Sequence, residues 1–583
     1  MSKKGKMKGL VIRVKKKKRG IPPVAIALVI GLIMVVAFII GKIIEKNTPS
    51  KTYVSEDDIK QMYYLSGDDS EIAIVMQDAI VENKAYMQDG TVYLEYNFVK
   101  SNINSRFYWD NNENILIYTT PDNVIKADVG SSEYYDVKSR NSVDYVVVKT
   151  DGSNVYIAAD YVKMYSNMKY EYYTDPARIY VTYKWGIQDT YSVKKSAKLR
   201  TGAGIKKDII TDLSKGDVIT VIEEGKNWIY GSTADGYIGY VKKSDVGKKK
   251  QVELVNEDYT EPVYTNIKKD YTISMAWHMV VSANDNGKLV DLTANAKGMN
   301  VVSPTWFRIV DNNGGLSSLA DTTYVSRAHQ LGLEVWAVVD DQSADSDNKQ
   351  IFPYTSKREN LVNQLISSAI QYGFDGINVD FEYISSDIAE DYIQFLRELS
   401  VKCRNNGIVL SIDDKVPIAS NLYYDRKEQG AIADYVVIMA YDEHWGVDSG
   451  AGSTASISWV EDGVSATLDE VDPSKVILGV PFYTKIWGEK ADGTVETYQT
   501  ADMQTVESII AQNGSQKTWL EDMGQNYSEY AGDGLTYRIW VEDATSMERK
   551  VQLISKYGLA GVSAWRLGSE TPDIWNTIVK YTN

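Results

Sequence analysis

Eight short apolar runs, separated by amphipathic helical segments, occupy the last 316 residues of this 583-residue chain, from Lys268 onward. Each run ends in polar residues, which is typical of buried parallel strands with loops at their carboxyl ends. Eight such units predict a (β/α)8 TIM barrel, whose chemistry lies at the C-terminal ends of the strands. The runs are YTISMAWHMV, MNVVSPTWF, LEVWAVVDD, FDGINVDFEY, GIVLSIDDKVP, ADYVVIMAYDEHW, KVILGVPFYTKIW and LAGVSAWRLG.

The fourth run, within GFDGINVDFEYI at residues 373–384, places carboxylates among Val, Ile and Phe. Carboxylates are rarely buried unless they are paired or functional. Alternate residues of a strand share a face, so we expect Asn378, Asp380 and Glu382 to point the same way. Asp375 has the opposite parity, and we expect it to hold a turn or the base of the strand. The spacing alone fits either general acid catalysis or an interior polar ladder without catalysis.

Four sequence motifs together carry a family resemblance. D-G-I-N-V-D-F-E at 375–382 resembles the signature D-G-x-D-x-D-x-E of family 18 glycoside hydrolases, and Met439-Ala440-Tyr441-Asp442 resembles that family's sixth-strand M-x-Y-D. GVPFY at 479–483 fits the seventh strand, and Trp565 falls where the family has its eighth-strand tryptophan. Within the family, SPTWF, YDEHW and TYRIWVEDA look like the bacterial spore-cortex and cell-wall glucosaminidase branch.

The resemblance implies a substrate-assisted retaining mechanism. Glu382 would protonate the leaving glycosidic oxygen while the N-acetyl carbonyl of the sugar attacks the anomeric carbon. Asp380 would orient that acetamide, Tyr441 would hydrogen-bond its oxygen with support from Asp442, and Trp565 would stack under the sugar. The implied substrate contains a 2-acetamido sugar, as in peptidoglycan or chitin. No metal and no organic cofactor is required.

One position departs from the signature, because Asn378 stands where the family usually has Asp. An amide still hydrogen-bonds Asp380 but does not share a proton in the same way, so we expect tuned rather than abolished activity. The predicted substrate-binding residues are Asn378, Asp442, Trp565, Met439, Tyr483 and Trp445. Trp277, Trp306 and Trp487 also lie near strand ends, where a sugar cleft and core packing are equally compatible with an aromatic residue. Residues 488–536 predict a small α+β insertion between the seventh and eighth strands.

The first 46 residues predict a membrane anchor. Residues 1–20 contain ten Lys or Arg and no acid, and the 22 residues Gly20–Gly41 carry no charge, which is enough to span a bilayer. We expect a basic cytoplasmic tail at 1–20, a transmembrane signal anchor at 21–44 and the rest of the chain outside the cell membrane. A cleaved signal peptide is the alternative, although its apolar run is usually shorter and ends in a small-residue cleavage site.

Between the anchor and the barrel, we expect a stalk at 47–71 and a β-rich module at 72–188, rich in Tyr, Val and Ile. This module repeats itself. Its matches at an offset of 63 are Val92 with Val155, Tyr93 with Tyr156, Val99 with Val162, Lys100 with Lys163 and Asn104 with Asn167. It resembles the copper amine oxidase N-terminal-like domain of envelope proteins, although the sequence shows no copper ligands. A spacer or a binding module are both compatible with the pattern.

Residues 190–247 alternate short strands with glycine turns. The order Leu199-Arg200, Gly202, Gly216-Asp217, Trp228 and 236–241 (GYIGYV) resembles the bacterial SH3-like domain, a small β-barrel. The resemblance implies binding of cell-wall peptide or glycan, while a purely structural role for the same residues stays open. We expect a linker at 248–267 and the catalytic barrel at 268–583, which makes the chain multidomain.

Net charge and the content of cysteine and histidine limit the ligands, partners and cross-links that we expect for this chain. Without residues 1–46 the chain has 51 basic and 78 acidic residues, a net charge of −27, which argues against nucleic acid. Cys403 is the only cysteine, so no intrachain disulfide forms, and three histidines do not predict a zinc site.

Together these features predict a membrane-anchored extracellular glycosidase that cleaves β-1,4 bonds of N-acetylglucosamine-containing glycan. The alternative is a glycan-binding or envelope-tethering protein that does not cleave. Endo or exo cleavage, and peptidoglycan or chitin, stay open.

Overall fold

The computed structural model describes residues 22–136 and 139–582, so the predicted basic tail lies outside the described residues. Within the described part, one helix, α1 (Pro23–Asn47), is long and apolar enough to span a membrane by length and composition. It carries no buried residue and covers most of the predicted anchor. Pro at its first turn and the uncharged run that follows explain why this segment is helical.

The elements that precede the barrel alternate short strands and short helices. In chain order they are α1, α2 (Glu56–Met62), β1 (Glu71–Met76), β2 (Ile80–Gln88), β3 (Thr91–Glu95), α3 (Tyr96–Asn102), β4 (Phe107–Asp110), β5 (Ile115–Thr119), β6 (Val124–Asp128), β7 (Glu133–Tyr135), β8 (Arg140–Ser142), β9 (Val148–Asp151), β10 (Asn154–Ala158), α4 (Ala159–Met164), β11 (Lys169–Thr174), β12 (Ala177–Thr182), β13 (Gly186–Val193), β14 (Ala197–Arg200), β15 (Ile209–Leu213), β16 (Val218–Glu224), β17 (Trp228–Thr233), β18 (Ile238–Lys242) and β19 (Val246–Leu254).

The chain divides into two compact units, Met1–Gly90 with Met168–Asp258, and Thr91–Asn167 with Tyr259–Asn583. In the first unit a seven-stranded sheet has the order β15-β14-β18-β17-β16-β13-β19, and β11, β12, β1 and β2 lie side by side. Leu199, Ile219, Ile229 and Val241 form the core of the seven-stranded sheet. This is the predicted SH3-like region, extended by β19 into the segment that we expected to be a linker.

The region that we expected to be a stalk contacts the same sheet. The Val54 amide donates to the Ile209 carbonyl at 2.9 Å, and Tyr63, which follows α2, is fully buried. Ser55 begins α2 by accepting a hydrogen bond from the Asp58 amide. Residues 53–63 are therefore packed within the first unit.

The internal repeat predicted from the sequence occurs as a repeated order of elements. A strand, a short helix and two further strands follow one another in β3-α3-β4-β5 and again in β10-α4-β11-β12. Within the second unit β3 and β10 pair antiparallel, with Leu94 opposite Ile157. Five antiparallel strands, β4 to β8, form a separate sheet in sequential order.

The second unit contains the barrel and its insertion. Its elements are β20 (Ile273–His278), α5 (Leu289–Thr293), β21 (Val301–Pro304), β22 (Phe307–Ile309), β23 (Leu316–Ser318), α6 (Thr322–Gln330), β24 (Glu334–Asp340), α7 (Thr355–Tyr372), β25 (Gly376–Asp380), α8 (Ala389–Asn406), β26 (Val409–Lys415), α9 (Arg426–Ile432), β27 (Tyr435–Met439), α10 (Ile457–Leu468), β28 (Val476–Pro481), β29 (Tyr483–Glu489), β30 (Val495–Asp502), α11 (Met503–Gln512), β31 (Thr518–Leu520), β32 (Gln525–Gly532), β33 (Leu535–Val541), α12 (Ala544–Tyr557), β34 (Gly561–Trp565) and α13 (Asp573–Thr582).

Eight parallel strands close into a barrel, as the apolar runs predicted. Their order is β20, β21, β24, β25, β26, β27, β28 and β34, and β34 pairs back onto β20. The barrel interior is packed by Trp277, Trp336, Val338, Val437 and Met439. The opposite faces of the strands pack against the helices, so the alternation of the sequence separates two apolar layers.

Between the seventh and eighth barrel strands, the chain forms a five-stranded antiparallel sheet in the order β30-β29-β33-β32-β31 together with α11. This is the α+β insertion expected from the length of the connection. Ile486, Val506 and Ile539 form its own small core. The insertion thereby places β29 and β30 beside the C-terminal end of β28, where the barrel opens.

The β4–β8 sheet contacts the barrel helices α7 and α8 within the second unit. Asp110, at the end of β4, accepts hydrogen bonds from the amide and the hydroxyl of Thr355 at 2.7 and 2.5 Å. The Tyr108 hydroxyl donates to Asp391 at 2.6 Å and accepts from Arg358 at 3.2 Å. Tyr108, Asp110, Thr355 and Arg358 are buried and Asp391 is half-buried, so the contact is a largely buried polar interface.

Candidate active site

Asn378 lies in the barrel interior, beneath the mouth, and is fully buried. Its Oδ1 accepts from the Trp277 indole at 2.9 Å and from the Ser303 hydroxyl at 3.2 Å. Its Nδ2 donates to the Ser411 hydroxyl at 2.9 Å and to Asp413 Oδ1 at 2.7 Å. The side chain thus uses both acceptor and both donor positions of the amide, and it joins four strands of the barrel.

Asp380 follows on the same face at the end of β25. Its Oδ1 is buried and has no hydrogen-bond partner among the residues that the structure describes. Burial raises the pKa of Asp380 well above its ordinary value, and the charges of Asp413 and Glu382 raise it further. Burial and these two neighbouring charges therefore disfavour a state in which Asp380 and its carboxylate neighbours are all ionised.

Glu382 lies just beyond the strand, in a loop that Asp341 holds. The backbone amides of Glu382 and Tyr383 each donate to the Asp341 carboxylate at 3.0 Å. Glu382 itself is about one-third exposed, with Oε2 3.1 Å from the Lys415 ammonium and Oε1 accepting from Gln342 at 3.2 Å. The carboxylate therefore faces the opening of the barrel, with a cation beside it.

The sixth strand, β27, ends at Met439, and the next two residues turn into the mouth. The Tyr441 ring packs edge-on against the Tyr483 ring at 6.3 Å between centroids. Burial raises the pKa of Tyr441 well above its ordinary value, so its hydroxyl keeps its proton for donation. Asp442 adopts a left-handed backbone, with φ of 58°, and accepts from the Tyr483 hydroxyl at 2.6 Å. Lys485 makes an ion pair with the same Asp442 oxygen.

Trp565, at the end of the eighth strand, lies 6.0 Å from Trp277 between ring centroids, with the planes at 58°. It also lines an open cavity of about 510 Å³. The cavity is bounded by Asp442, Trp445, Tyr483, Lys485, Tyr498, Gln499, Thr500, Ala501, Asp502, Thr505, Trp565, Arg566 and Ser569. Residues 498–505 belong to the insertion, which therefore forms one wall of the cavity.

The structure brings most of the predicted site residues together. Asp380, Glu382, Tyr441 and Trp565 surround the barrel mouth, and Asn378 and Met439 lie beneath it in the interior. Trp445 is 71% exposed and Tyr483 is buried, and both line the cavity. Trp306 and Trp487, which also lie near strand ends, are core residues. Both are fully buried, and their indole groups donate to Asn286 and to the Gly452 carbonyl, respectively.

Asp375 holds the base of the strand, as its parity indicated. Its carboxylate accepts from the Val335 amide at 2.8 Å and contacts His329 at 2.9 Å. It lies at the opposite end of β25 from Glu382.

Sequence reasoning did not single out four charged residues that contact the site: Asp341, Asp413, Lys415 and Lys485. Three of them follow an apolar run at the end of a barrel strand, which is the signal that identified Asp380. In β26, Ser411, Asp413 and Lys415 have the same parity and face the interior and the mouth. The described ranges, 22–136 and 139–582, contain no group of three or more His, Cys, Asp or Glu side chains arranged to hold a metal ion.

The fold is a (β/α)8 barrel with carboxylates and aromatic rings at one end, and comparison with known families gives its class. Residues 310–570 match the family model described as Glycosyl hydrolases family 18, and residues 195–247 match the model described as Bacterial SH3 domain. The barrel is therefore a family 18 glycosyl hydrolase domain, and the first unit carries a bacterial SH3 domain. The resemblances to family 18 glycoside hydrolases and to the bacterial SH3-like domain are thereby confirmed.

Among individual proteins, the uncharacterized glycosylase YvbX of Bacillus subtilis (strain 168) is 27% identical over 316 residues, 52% of this chain and 90% of that protein. The cortical fragment-lytic enzyme of the same organism is 28% identical over 229 residues, 38% of this chain and 52% of that enzyme. The chain thus spans about half the length of the latter. The crystal structure of a chitinase from Chromobacterium violaceum ATCC 12472 aligns with a TM-score of 0.46 at 24% identity, covering 53% of this chain and 98% of that chain.

Proposed function

We propose that this protein is a membrane-anchored glycosidase that hydrolyses β-1,4 bonds next to N-acetylglucosamine in cell-wall glycan. The observation that carries the proposal is that Asp380, Glu382 and Tyr441 lie together at one end of the barrel, with Tyr441 and Trp565 packed against the same interior cluster. The similarity to a cortical fragment-lytic enzyme favours peptidoglycan over chitin as the substrate.

In this mechanism Glu382 protonates the glycosidic oxygen as the bond to the anomeric carbon breaks. The carbonyl oxygen of the sugar's own acetamide attacks that carbon and forms an oxazolinium ion. Asp380 orients the acetamide and stabilises the positive charge that develops on it. Glu382 then removes a proton from the water that opens the ring, which restores the acid for the next cycle.

The residues around these groups support the same reaction. Tyr441 keeps its hydroxyl proton and donates it to the acetamide oxygen, while Tyr483 and Lys485 hold Asp442 in the turn that positions Tyr441. Trp565 provides an aromatic face for the sugar ring. Trp445, on the exposed rim of the cavity, extends this face toward the next sugar.

The remaining segments fit an enzyme held at the cell surface. Helix α1 is proposed to anchor the chain in the cell membrane, with residues 1–20 in the cytoplasm and both units outside. The SH3 domain is proposed to bind wall peptide or glycan and so to raise the local substrate concentration.

The proposal is tested by incubating the full-length, detergent-solubilised chain with purified peptidoglycan and measuring new reducing ends. Release of fragments that end in N-acetylglucosamine is expected from the wild type, and a loss of about 10³-fold or more from Glu382→Gln, because the acid is removed while the shape is kept. Glu548→Gln, on the outer helix α12, is the matched control and is expected to keep full activity.

Co-sedimentation with peptidoglycan in the same samples separates the alternatives. Tight binding without cleavage by the wild type would favour a glycan-binding protein and would refute the glycosidase. Equal cleavage by wild type and Glu382→Gln would refute the assignment of the acid.

A further inference from the structure

The barrel mouth of this chain contains a carboxyl group that the family signature does not include. The signature places a second Asp two residues before Asp380, where this chain has Asn378. The neighbouring strand β26 instead places Asp413 in the same layer, with its Oδ1 2.7 Å from Asn378 Nδ2. The parallel register of β25 and β26 pairs Asn378 with Ser411 and Val379 with Ile412, and its continuation by one residue sets Asp380 beside Asp413.

Two buried oxygens in this layer have no hydrogen-bond partner among the described residues: Asp380 Oδ1 and Asp413 Oδ2. Leaving two carboxylate oxygens buried and unpaired is costly, and two neighbouring carboxylates cannot both carry charge without strong repulsion. A single proton removes both costs, because a protonated carboxyl donates a hydrogen bond to its ionised neighbour.

The charged surroundings favour such a proton. Burial raises the pKa of Asp413 well above its ordinary value, with a hydrogen bond from Asn378 acting in the opposite direction and the charges of Asp414 and Glu382 adding to the rise. The groups that interact electrostatically with one or both carboxyls are Asp340, Asp341, Glu382, Tyr392, Asp414 and Tyr441, and Lys415 follows Asp413 on the same face of β26. Lys415 is the one cation of that set, and it makes an ion pair with Glu382.

We propose that Asp413 supplies, from the neighbouring strand, the second carboxyl of the active site and shares one proton with Asp380 through its Oδ2. This inference rests on the proposed glycosidase function and assigns Asp413 as a positioning residue. In this arrangement Asp413 carries the shared proton and donates a hydrogen bond that fixes the Asp380 carboxylate. Asp380 then carries the single negative charge of the pair, which faces the oxazolinium. The proton stays on the pair throughout, so the reaction needs no further donor.

The test moves the carboxyl group from position 413 in β26 to position 378 in β25. Asp413→Asn is expected to lower kcat by about 10²-fold with little change in KM, because the substrate still binds while Asp380 loses its partner. Asn378→Asp alone is expected to lower activity as well, because it places a third carboxyl against Asp413. The double variant Asn378→Asp/Asp413→Asn restores the family signature and is expected to recover most of the activity.

Asp469→Asn, an exposed aspartate at the end of α10, is the matched control. Wild-type kcat in Asp413→Asn would overturn the proposal. A double variant no better than Asp413→Asn would overturn it too, because a role that is merely structural predicts that the two losses add.

A second readout requires no turnover. Infrared difference spectra of the full-length chain at pH 7 are expected to show one protonated carboxyl in the wild type that is absent from Asp413→Asn. An identical protonated-carboxyl signal in both proteins would overturn the shared proton. This result is independent of glycan cleavage, so an inactive wild type that shows the signal would refute the proposed function and leave the carboxyl pair intact.

The pH dependence of thermal stability also tests the shared proton, and the direction of the expected change is defined. A carboxyl whose pKa is raised by folding stabilises the fold below its unfolded pKa of about 4, and that contribution is lost as the pH rises through the folded pKa. Asp413→Asn removes such a group. The Tm of Asp413→Asn minus the Tm of the wild type is therefore expected to be largest at alkaline pH and to decrease toward pH 4. A Tm difference that does not change with pH would contradict the proposal.

Discussion

The side-chain amide of Asn378 matches the hydrogen-bonding groups of its four neighbours. An amide has two acceptor positions and two donor hydrogens, and here Trp277, Ser303, Ser411 and Asp413 use all four. An ionised Asp at this position would accept from Trp277 and Ser303 but would lose its donors to Ser411 and Asp413. With Asp413 present, the amide is thus the side chain that satisfies this layer of the barrel.

Replacing Tyr441 with Phe removes the hydroxyl that we expect to donate to the acetamide oxygen. The loss of one preorganised donor to a developing charge costs about 10²-fold in kcat. We expect that loss in Tyr441→Phe with an almost unchanged Tm, measured by steady-state hydrolysis of a soluble N-acetylglucosamine oligomer and by thermal unfolding.

Tyr423→Phe serves as the comparison, because its hydroxyl donates to the Ile384 carbonyl and lies outside the cavity lining. We expect its kcat to match the wild type. A Tyr441→Phe enzyme with wild-type kcat would remove Tyr441 from the mechanism.

For single residues, the two-residue alternation of a β-strand was sufficient to predict that Asn378, Asp380 and Glu382 share one face, because side-chain direction in a strand is a local property. Asp413 follows the same period in β26, but its pairing with Asp380 depends on the register of two strands that are 33 residues apart. Register is set by tertiary packing, so a single sequence does not reveal which side chains meet across strands.

Helix α7 illustrates how an element of the barrel depends on a distant part of the chain. Its N-cap residue, Tyr354, makes no side-chain capping bond. The first amides of the helix are satisfied instead by Asp110, which accepts from Thr355, and by Glu113, which accepts from Ser356 at 2.8 Å. Two carboxylates at the positive end of a helix also interact favourably with its dipole.

Asp110→Ala is expected to destabilise the second unit by about 2 kcal/mol, because a buried amide and a buried hydroxyl of Thr355 lose their acceptor. The expected result is a Tm lowered by a few degrees in the transition of the second unit, measured by differential scanning calorimetry. Asp122→Ala, in the exposed turn between β5 and β6, is expected to leave that transition unchanged. Equal Tm values for Asp110→Ala and wild type would show that the cap contributes nothing.

The eight barrel strands and the insertion were predictable because each is a local pattern of apolar residues with punctuating turns. The cap of α7 was not, because its carboxylates precede the helix by more than 240 residues. The repeated module was predictable as a repeat, but its division between the two compact units was not, because it follows from long-range packing.

For the whole molecule, the proposed topology is open to a direct chemical test. Cys403 is the only cysteine, and it is fully buried, with its thiol pKa raised by burial, so it reacts poorly with thiol reagents. Lys51→Cys places a thiol on an exposed position just beyond α1. A membrane-impermeant maleimide is expected to label this variant in intact, wall-stripped cells.

Ser2→Cys, in the basic segment, is expected to be labelled only after the membrane is permeabilised. The reverse pattern would invert the topology. Labelling of Lys51→Cys in the culture medium rather than on cells would indicate a cleaved signal peptide.

The contact between the β4–β8 sheet and α7 also has a consequence for biosynthesis. Residues 107–142 leave the ribosome long before the barrel does, so the surface that will cap α7 and receive Arg358 is exposed while the barrel is still being made. We therefore expect the sheet to be available as a docking surface when α7 and α8 emerge, so that one side of the barrel assembles on a segment whose sequence resembles a spacer.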